Sequence, residues 1–312
     1  MPSGPITSPD PVGTAPGGAA CEDDGAVTGA AAGRDPGRRT AHAVAKEQAE
    51  NFPVALRVLP ARLRADLQAV YDVLRLVDDL GDEAPGDRTA QLRACSAELA
   101  DLWRGAPVRT PALARLAPTV RARGLSEEPF QRLVQANLQD QVVTRYADLD
   151  ALLGYCDLSA APVGRIVLEL FGASTPQRVA LSDRVCNALQ LLEHWQDVAE
   201  DRRAGRVYLP QDALAAAGVP ETDLDAATTS PRLARLVLAQ VAVAEELLTA
   251  GPLLVRELRG WARVAVAGFA AGGLATVDAL RRAGGSVLAG PPRPRRRDVV
   301  RHAAALLIGA RR

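Results

Sequence analysis

Residues 67–83, LQAVYDVLRLVDDLGDE, decide the fold class, because apolar side chains recur there every three or four positions. This spacing predicts an amphipathic helix, and at about 100° per residue Asp78 falls in the middle of the stripe that contains Leu67 and Leu74. A carboxylate on an inward face is costly unless it is paired or binds a cation. Asp78 and Asp82 therefore fit either a divalent metal site or a helix end that exposes its acids to water. The same ridge contains Tyr71 and Arg75, and Asp79 lies at its edge.

A second predicted helix, residues 176–203, has a matching acidic ridge. Asp197 and Asp201 are again four positions apart, although the polar face of any solvated helix would explain this pair alone. If the two helices face each other across a bundle, the carboxylates form two walls of one cavity. Mg²⁺ takes one or two carboxylates per ion and completes its shell with water and substrate phosphates, so a diphosphate fits such a cavity. Arg75 and Arg206 would bind the diphosphate oxygens.

Composition argues against several other classes of function. The formal net charge is zero and aromatic residues make up 4% of the chain, which is not typical of a nucleic-acid-binding protein. The three histidines and four cysteines have no zinc-binding spacing, and the chain has no glycine loop for a nucleotide or dinucleotide. Any metal is therefore expected to be a hard cation held by carboxylates. The cysteines, without a secretory context, indicate reduced thiols in the cytoplasm.

The rest of the chain divides into predicted segments. Residues 1–40 are rich in Gly, Pro and Ala, which predicts a disordered tail that is not a signal peptide. Residues 41–290 have helical periodicity throughout, which predicts an all-α single domain. We expect no membrane-spanning helix, because no long uncharged apolar stretch occurs. Helices are predicted at 60–83, 87–103, 111–122, 126–146, 148–158, 161–171, 176–203, 230–258 and 260–283.

Residues 291–312 form a basic C-terminal tail that contains seven arginines and one acidic residue, Asp298. Residues 298–308 of this tail are amphipathic, with apolar residues that include Val300 and Ile308. The pattern fits either a solvated terminal helix or an interfacial helix that lies on anionic lipid.

The two acidic segments resemble the two aspartate-rich motifs of the squalene/phytoene synthase family. The first is YDVLRLVDDLGDE at residues 71–83, and the second is WQDVAED at residues 195–201, followed by GRVYLP at residues 205–210. One DDxxD motif is a weak signal, whereas two of them with the GRxYLP tail are a specific one. The resemblance extends over about residues 45–285 and implies an isoprenoid-synthase-like helical bundle with a central cavity.

Three further strings resemble the hopanoid-pathway branch of this family, the hydroxysqualene synthases. They are ENFPV at residues 50–54, SAAPVGR at residues 159–165, and WQ at residues 195–196. Glu193 and His194 depart from the Asn-Phe that many relatives carry, and this change lies beside the second acidic motif.

The resemblance implies a reaction, the Mg²⁺-dependent conversion of presqualene diphosphate to hydroxysqualene with loss of diphosphate and without NADPH. The implied ligands of two or three Mg²⁺ ions are Asp78, Asp79, Asp82, Asp197 and Asp201, supported by Glu200. The implied catalytic residues, which bind or orient the diphosphate, are Tyr71, Arg75, Arg206 and Tyr208. Candidates that bind the substrate or wall its cation are Asn51, Phe52, Val163, Gly164, Leu168 and Gln190. Among them, Gly164 would leave room for a long isoprenoid tail.

Two alternatives stay open. A sister enzyme would join two prenyl diphosphates head to head in the same cavity, giving presqualene diphosphate, squalene or phytoene. A non-catalytic helical scaffold would contact membranes or partners through the basic tail and would release no diphosphate. The implied partners are an isoprenoid diphosphate, membrane lipid and companion enzymes of the hopanoid pathway, with no nucleic acid. The implied location is the cytoplasm, with a peripheral contact at the inner face of the cell membrane.

Overall fold

The computed structural model describes residues 59–310, and within that range the protein is all-α, as the periodicity predicts. The helices are α1 (Ala61–Asp82), α2 (Arg88–Trp103), α3 (Pro111–Arg123), α4 (Glu128–Asp140), α5 (Leu149–Ser159), α6 (Ala161–Leu170), α7 (Pro176–Gln196), α8 (Val198–Arg203), α9 (Gln211–Ala216), α10 (Pro231–Leu248), α11 (Ala250–Glu257), α12 (Gly260–Arg282) and α13 (Arg296–Gly309). A 3₁₀ turn, Glu221–Asp225, follows α9. The predicted tail at residues 1–40 lies outside the described residues, and the three-segment division stays a prediction.

Helix α1 buries a different face from the one that the sequence analysis predicts. Its buried stripe runs through Val70, Val73 and Val77, which is about a quarter turn away from Asp78 at 100° per residue. The prediction that Asp78 lies in the middle of the apolar stripe is therefore wrong, and its side chain is exposed at the edge of the stripe. The face with the three valines is the buried one, because α2, α3, α4 and α6 pack against α1. Leu74, on the predicted face, is only half-buried.

The helix predicted at 126–146 is shorter in the structure, where α4 ends at Asp140. The chain then turns, and its backbone pairs with the segment that follows the second acidic motif. The N–H of Val207 donates to the carbonyl of Thr144 at 2.9 Å, and the N–H of Gln211 donates to the carbonyl of Tyr146 at 3.0 Å. Such pairing between distant segments has no local sequence signal, so periodicity extended the helix too far.

The helix predicted at 176–203 divides at Asp197, which ends α7 with φ −101° and ψ 18°. The N–H groups of Glu200 and Asp201 both donate to the carbonyl of Asp197, each at 2.8 Å, and this pattern starts α8. The helix predicted at 230–258 likewise divides at Thr249, between α10 and α11. Apolar periodicity continues across both breaks, so it does not reveal them.

Two hydrophobic clusters form the core, and α6 contributes side chains to both. Ile166 and Leu170 join the cluster that α1–α4 build around residues such as Phe130. Leu168 joins the other cluster, which contains Trp195 of α7. Helix α6 packs against α1 and α4 as well as against α5 and α7. The helices that carry the two acidic motifs are therefore held apart by one shared helix.

Gly164 lies where α6 packs closely against side chains of α7. A Cβ atom at this position would come within 2.6 Å of the Cys186 sulfur and closer still to the Ser182 hydroxyl. The space beside Gly164 is thus filled by two side chains of α7, and it does not leave room there for an isoprenoid tail. The missing side chain instead allows the two helices to touch.

Three apolar stretches, Leu149–Leu170, Pro231–Glu257 and Gly260–Arg282, are long and apolar enough to cross a membrane. The expectation of no membrane-spanning helix is therefore not supported by length and hydropathy. Within their most apolar windows, 50%, 44% and 67% of the residues respectively are buried inside the protein. The first two stretches each contain a break between helices, α5–α6 and α10–α11.

The C-terminal helix α13 packs on α11 and α12 and is part of the described fold. Its buried Asp298 accepts a hydrogen bond from Arg282 at 2.8 Å, and Leu306 enters the second hydrophobic cluster. On the outward side, Val300 and Ile308 are 67% and 62% exposed. The helix thus has one face fixed by packing and one apolar face open to its surroundings.

We expect Gly164→Ala to destabilise the fold, because the added methyl group must displace packed side chains of α7. Overpacking of this kind costs roughly 1–3 kcal/mol, which a urea denaturation curve would measure. Gly154→Ala is the matched control, since Gly154 is also helical and a Cβ there meets nothing within 4 Å. Equal stability of the two variants would contradict the close-approach role of Gly164.

Candidate active site

The first acidic motif occupies the C-terminal end of α1, where the helix dipole is negative and carboxylates need a positive or donating partner. The Nδ2 atom of Asn137 donates to Oδ1 of Asp78 at 3.4 Å. Arg75 forms an ion pair with Asp79 at 2.8 Å, one turn apart on the same helix. The last turn of α1 contains no basic residue of its own, so any further cation must come from elsewhere.

The second acidic motif surrounds the junction between α7 and α8. Burial, together with the negative charge of neighbouring carboxylates, raises the pKa of Asp197 to about 6. The neighbours are Glu193, Asp201 and Glu200. The Oδ2 atom of Asp201 is buried and has no hydrogen-bond partner among the described residues. This motif is therefore crowded with negative charge that no described cation fully compensates.

Arg206 joins the two motifs. It follows Gly205, whose φ of +84° is a left-handed conformation that favours glycine. The N–H of Arg206 donates to the carbonyl of Asp201 at 2.8 Å, while its guanidinium forms an ion pair with Asp82 at 2.8 Å. Burial works against the charge of this guanidinium, but Tyr208 and nearby carboxylates hold its pKa above the usual range. One arginine thus connects the end of α1 to the end of α8.

Aromatic rings line the space next to this arginine. Three of the four tyrosines in the chain, Tyr146, Tyr155 and Tyr208, lie with ring centroids 5.4–5.8 Å apart. His194 stacks on Tyr208 with a centroid distance of 3.7 Å and an interplanar angle of 13°. Burial raises the pKa of each of these tyrosines, so their hydroxyl groups remain protonated donors.

Asp140, the last residue of α4, contacts this aromatic group. The hydroxyl of Tyr155 donates to its Oδ2 atom at 2.7 Å, whereas its Oδ1 atom is buried without a hydrogen-bond partner in the described range. Burial raises the pKa of Asp140 to about 6, and the positive charge of Arg206 only partly opposes that rise. Asp82 contributes in the same direction as burial. Asp140 is thus within electrostatic reach of Asp82 in the first acidic motif and of His194 and Arg206, which flank the second.

The chemistry of these residues fits a divalent cation that is shared with an anionic ligand. Neighbouring carboxylates contribute to the raised pKa of Asp197, and a bound cation would compensate their negative charge. Between residues 59 and 310, no three Asp, Glu, His or Cys side chains are close enough together to hold a metal ion by themselves. Each ion would therefore take one or two carboxylates and complete its shell with water or phosphate oxygens, as Mg²⁺ prefers.

The other residues predicted from the sequence have varied surroundings. Tyr71 is half-buried on α1, and the side-chain amide of Gln190 lies 3.3 Å from Nε2 of His194. Val163 packs against the first hydrophobic cluster and Leu168 belongs to the second. The predicted substrate-binding residues Asn51 and Phe52 lie outside the described residues. The roles of all the predicted site residues stay predictions.

Sequence reasoning missed Asp140, Tyr155 and His194 as site residues. The sequence signal for Tyr155 was the rarity of tyrosine, since the chain contains only four tyrosines and three of them lie in this group. Asp140 had a signal similar to that of Asp78, an acidic residue near the C-terminal end of an amphipathic helical segment. Periodicity placed it in the middle of a longer helix, so its position at a helix end went unnoticed.

Comparison of the sequence with known proteins gives a consistent result. The sequence model of the squalene/phytoene synthase family matches residues 45–301. The chain is 35% identical over 219 residues to hydroxysqualene synthase of Sinorhizobium fredii, covering 69% of this chain and 73% of the relative. It is 34% identical over 213 residues to hydroxysqualene synthase of Rhodopseudomonas palustris, covering 68% and 72%. Presqualene diphosphate synthase of the same organism is 34% identical over 212 residues, covering 65% and 75%.

Solved structures agree with the sequence comparison. Squalene synthase HpnC of Alicyclobacillus acidocaldarius superposes with a TM-score of 0.72 at 37% identity, covering 77% of this chain and 90% of that one. A dehydrosqualene synthase in complex with ligand superposes with a TM-score of 0.76 at 23% identity, covering 84% and 92%. The second match shows a shared fold, the first a shared fold with a closer sequence.

We expect the stability of Asp140→Asn, relative to the unmodified chain, to rise with pH. The folded state holds the Asp140 proton up to a pKa of about 6, against an ordinary value of 3.8, so ionisation of this carboxyl costs folding free energy as the pH rises. Asparagine has no such cost. Between pH 4 and pH 8 the difference in unfolding free energy should shift by about 1–3 kcal/mol in favour of the variant. Urea unfolding with a chelator would measure it, and a pH-independent difference would contradict the assignment.

Proposed function

Because the chain belongs to the squalene/phytoene synthase family, we propose that it converts presqualene diphosphate to hydroxysqualene and diphosphate with the help of Mg²⁺. The bond between carbon and the diphosphate oxygen breaks, and the diphosphate leaves with the electron pair. The carbocation rearranges, a water oxygen bonds to it, and one proton is released. Water and not hydride ends the reaction, so no NADPH is required. Two of the relatives carry the name of this activity, and this supports the choice within the family.

The observation that carries the proposal is the ion pair between Arg206 and Asp82. It brings the segment after the second acidic motif against the end of the first, and the backbone N–H of the same arginine donates to the carbonyl of Asp201. A diphosphate carries several negative oxygens, and it would need both an arginine fork and metal ions to bind beside carboxylates. A diphosphate with its metal ions fits this combination of charges, and the family relationship indicates that its organic group is a prenyl chain.

The proposed metal ligands are Asp78, Asp79, Asp82, Asp197 and Asp201, with two or three Mg²⁺ ions between the motifs. When bound, Mg²⁺ supplies a Lewis acid that neutralises charge on the departing diphosphate. Asp79 and Asp82 are each paired with an arginine, Arg75 and Arg206. Binding of cation and diphosphate would exchange these pairs, so that the carboxylates turn to the metal and the guanidinium groups to the phosphate oxygens.

The protein's remaining task is to stabilise a cation and admit one water. Tyr208 is buried beside Arg206 and would donate a hydrogen bond towards the diphosphate. Apolar side chains such as Val163 and Leu168 offer no nucleophile, so they suit a wall that lets the rearrangement proceed before capture. Asn51, Phe52 and Gln190 remain proposed substrate contacts, and Tyr71 a proposed orienting group on α1.

A second candidate activity is the head-to-head condensation of two prenyl diphosphates. It is favoured by the similarity to a presqualene diphosphate synthase, which is almost as strong as that to the hydroxysqualene synthases. The two activities would use the same carboxylates and differ in which prenyl diphosphates occupy the site. An enzyme that makes presqualene diphosphate must in any case supply the substrate of the first reaction, so we include such companion enzymes of the hopanoid pathway among the partners.

We also propose a cytoplasmic location with a peripheral contact between α13 and anionic membrane lipid. The outward face of this helix combines the exposed side chains of Val300 and Ile308 with Arg297 and Arg301, which are 74% and 61% exposed. Apolar residues flanked by arginines are typical of a helix that lies in a membrane interface. A water-insoluble triterpene product would pass directly into the lipid.

The purified chain should release diphosphate from presqualene diphosphate and form hydroxysqualene when Mg²⁺ is present, and do neither with a chelator. Farnesyl diphosphate, supplied separately, tests the condensation activity, and chromatography with mass spectrometry identifies the products. Asp197→Asn should lower turnover by about 10²–10³-fold, because it removes a preorganised electrostatic contact.

Asp148→Asn is the matched control for that substitution. Asp148 caps α5 by accepting from the N–H of Ala151 at 2.8 Å, and asparagine caps equally well, so turnover should be unchanged. Near-normal turnover of Asp197→Asn at saturating Mg²⁺ would contradict the metal assignment. Absence of diphosphate release from either substrate would contradict the proposed enzyme and favour a scaffold.

The membrane contact predicts that the chain sediments with vesicles of phosphatidylglycerol and phosphatidylcholine and much less with phosphatidylcholine alone. Replacing Val300 and Ile308 together with Asp should weaken binding by about tenfold, because two apolar anchors become anions. Val142→Asp is the control, since Val142 is 78% exposed but belongs to the turn after α4. An equal loss in the control would contradict a contact through α13.

A further inference from the structure

His194 is a buried, polar side chain at a position that the proposed reaction does not yet use. It lies in the last turn of α7 and is 6% exposed. Its ring stacks on Tyr208, but a phenylalanine would stack there equally well, so the contact does not explain why a histidine is present. The two ring nitrogens must therefore be accounted for separately.

The Nε2 atom of His194 faces the side-chain amide nitrogen of Gln190 at 3.3 Å. An amide nitrogen can only donate, so Nε2 is the acceptor and the ring proton is on Nδ1. The Nδ1 atom lies 3.9 Å from Oδ2 of Asp201, which is too long for a direct hydrogen bond. The donor and this carboxylate oxygen thus face each other across a gap.

A small cavity occupies this region. Its volume is about 10 Å³, close to the minimum that holds one water molecule. The polar groups that line it are His194, Asp201, Arg206 and Tyr208, and the remaining walls are apolar. The Oδ2 atom of Asp201 is buried and lacks any hydrogen-bond partner in residues 59–310. A water molecule here would accept a hydrogen bond from the Nδ1–H group and donate one to that oxygen, which satisfies both groups.

We propose that His194 is a positioning residue that fixes the Asp201 carboxylate through one water in this cavity. The inference rests on the proposed role of Asp201 as a metal ligand. Because the water holds Oδ2, Oδ1 is left to face the cation. The carboxylate is then already ordered before the metal binds, so binding costs it no further rotational freedom. Outer groups that orient metal ligands in this way typically contribute 10–100-fold to metal affinity.

Two substitutions of His194 distinguish the contribution of its hydrogen bond from that of its stacked ring. His194→Phe keeps a ring against Tyr208 and removes the Nδ1 donor, whereas His194→Asn keeps a donor close to the Nδ1 position and removes the ring. The probe is Mn²⁺, titrated in the presence of inorganic pyrophosphate and followed by electron paramagnetic resonance. We expect the Kd for Mn²⁺ to rise about tenfold or more in His194→Phe and to stay within about threefold of the unmodified chain in His194→Asn.

Equal metal affinity of the unmodified chain and His194→Phe would overturn the inference, as would equal losses in both variants, which would indicate a packing role for the ring. If His194→Phe does not fold, His194→Leu takes its place and the same comparison with His194→Asn applies. The readout uses no prenyl substrate, so it is separate from a failure of the proposed activity. An unmodified chain that binds no Mn²⁺ but turns over presqualene diphosphate with Mg²⁺ would also overturn it.

Discussion

The ion pair between Arg206 and Asp82 is the interaction on which the candidate site depends. Helices α1 and α7 belong to different hydrophobic clusters, so side-chain packing alone does not bring the two acidic motifs together. Arg206 does so because a left-handed glycine turns the chain after α8 and the backbone pairing with residues 144–147 fixes its course. Without that guanidinium, Asp82 would lie at the negative end of the α1 dipole without its ion-pair partner.

The site carries more negative charge than its surroundings neutralise, and this is informative about its use. Burial raises the pKa of both Asp140 and Asp197 to about 6. The folded chain therefore holds these carboxylates in surroundings that disfavour their charged form. Such a cost is typical of binding and catalytic sites, where the ligand supplies the missing charge. The apolar clusters on either side provide the stability that permits it.

The fold class and most helix positions were predictable, since helices such as α1, α2 and α12 follow apolar periodicity. The two acidic motifs were also recognisable from their spacing. The break at Asp197 and the end of α4 at Asp140 were not, because periodicity does not register a change between two helices. The predicted orientation of Asp78 was wrong for a related reason, because a helical wheel contains no information about which neighbouring helices cover each face. Asp140 and Tyr155 meet only through tertiary packing, which no local pattern encodes.

The position of α6 between the two hydrophobic clusters has a consequence for unfolding. Its ten residues supply side chains to both clusters, and Gly164 seats it directly against α7. If one half of the molecule unfolds, α6 loses the side chains that bury one of its faces. Loss of structure in one half therefore destabilises α6 and propagates to the other half. Thermal disruption should thus proceed as one all-or-none event, with no surviving half-molecule, despite the division of the interior in two.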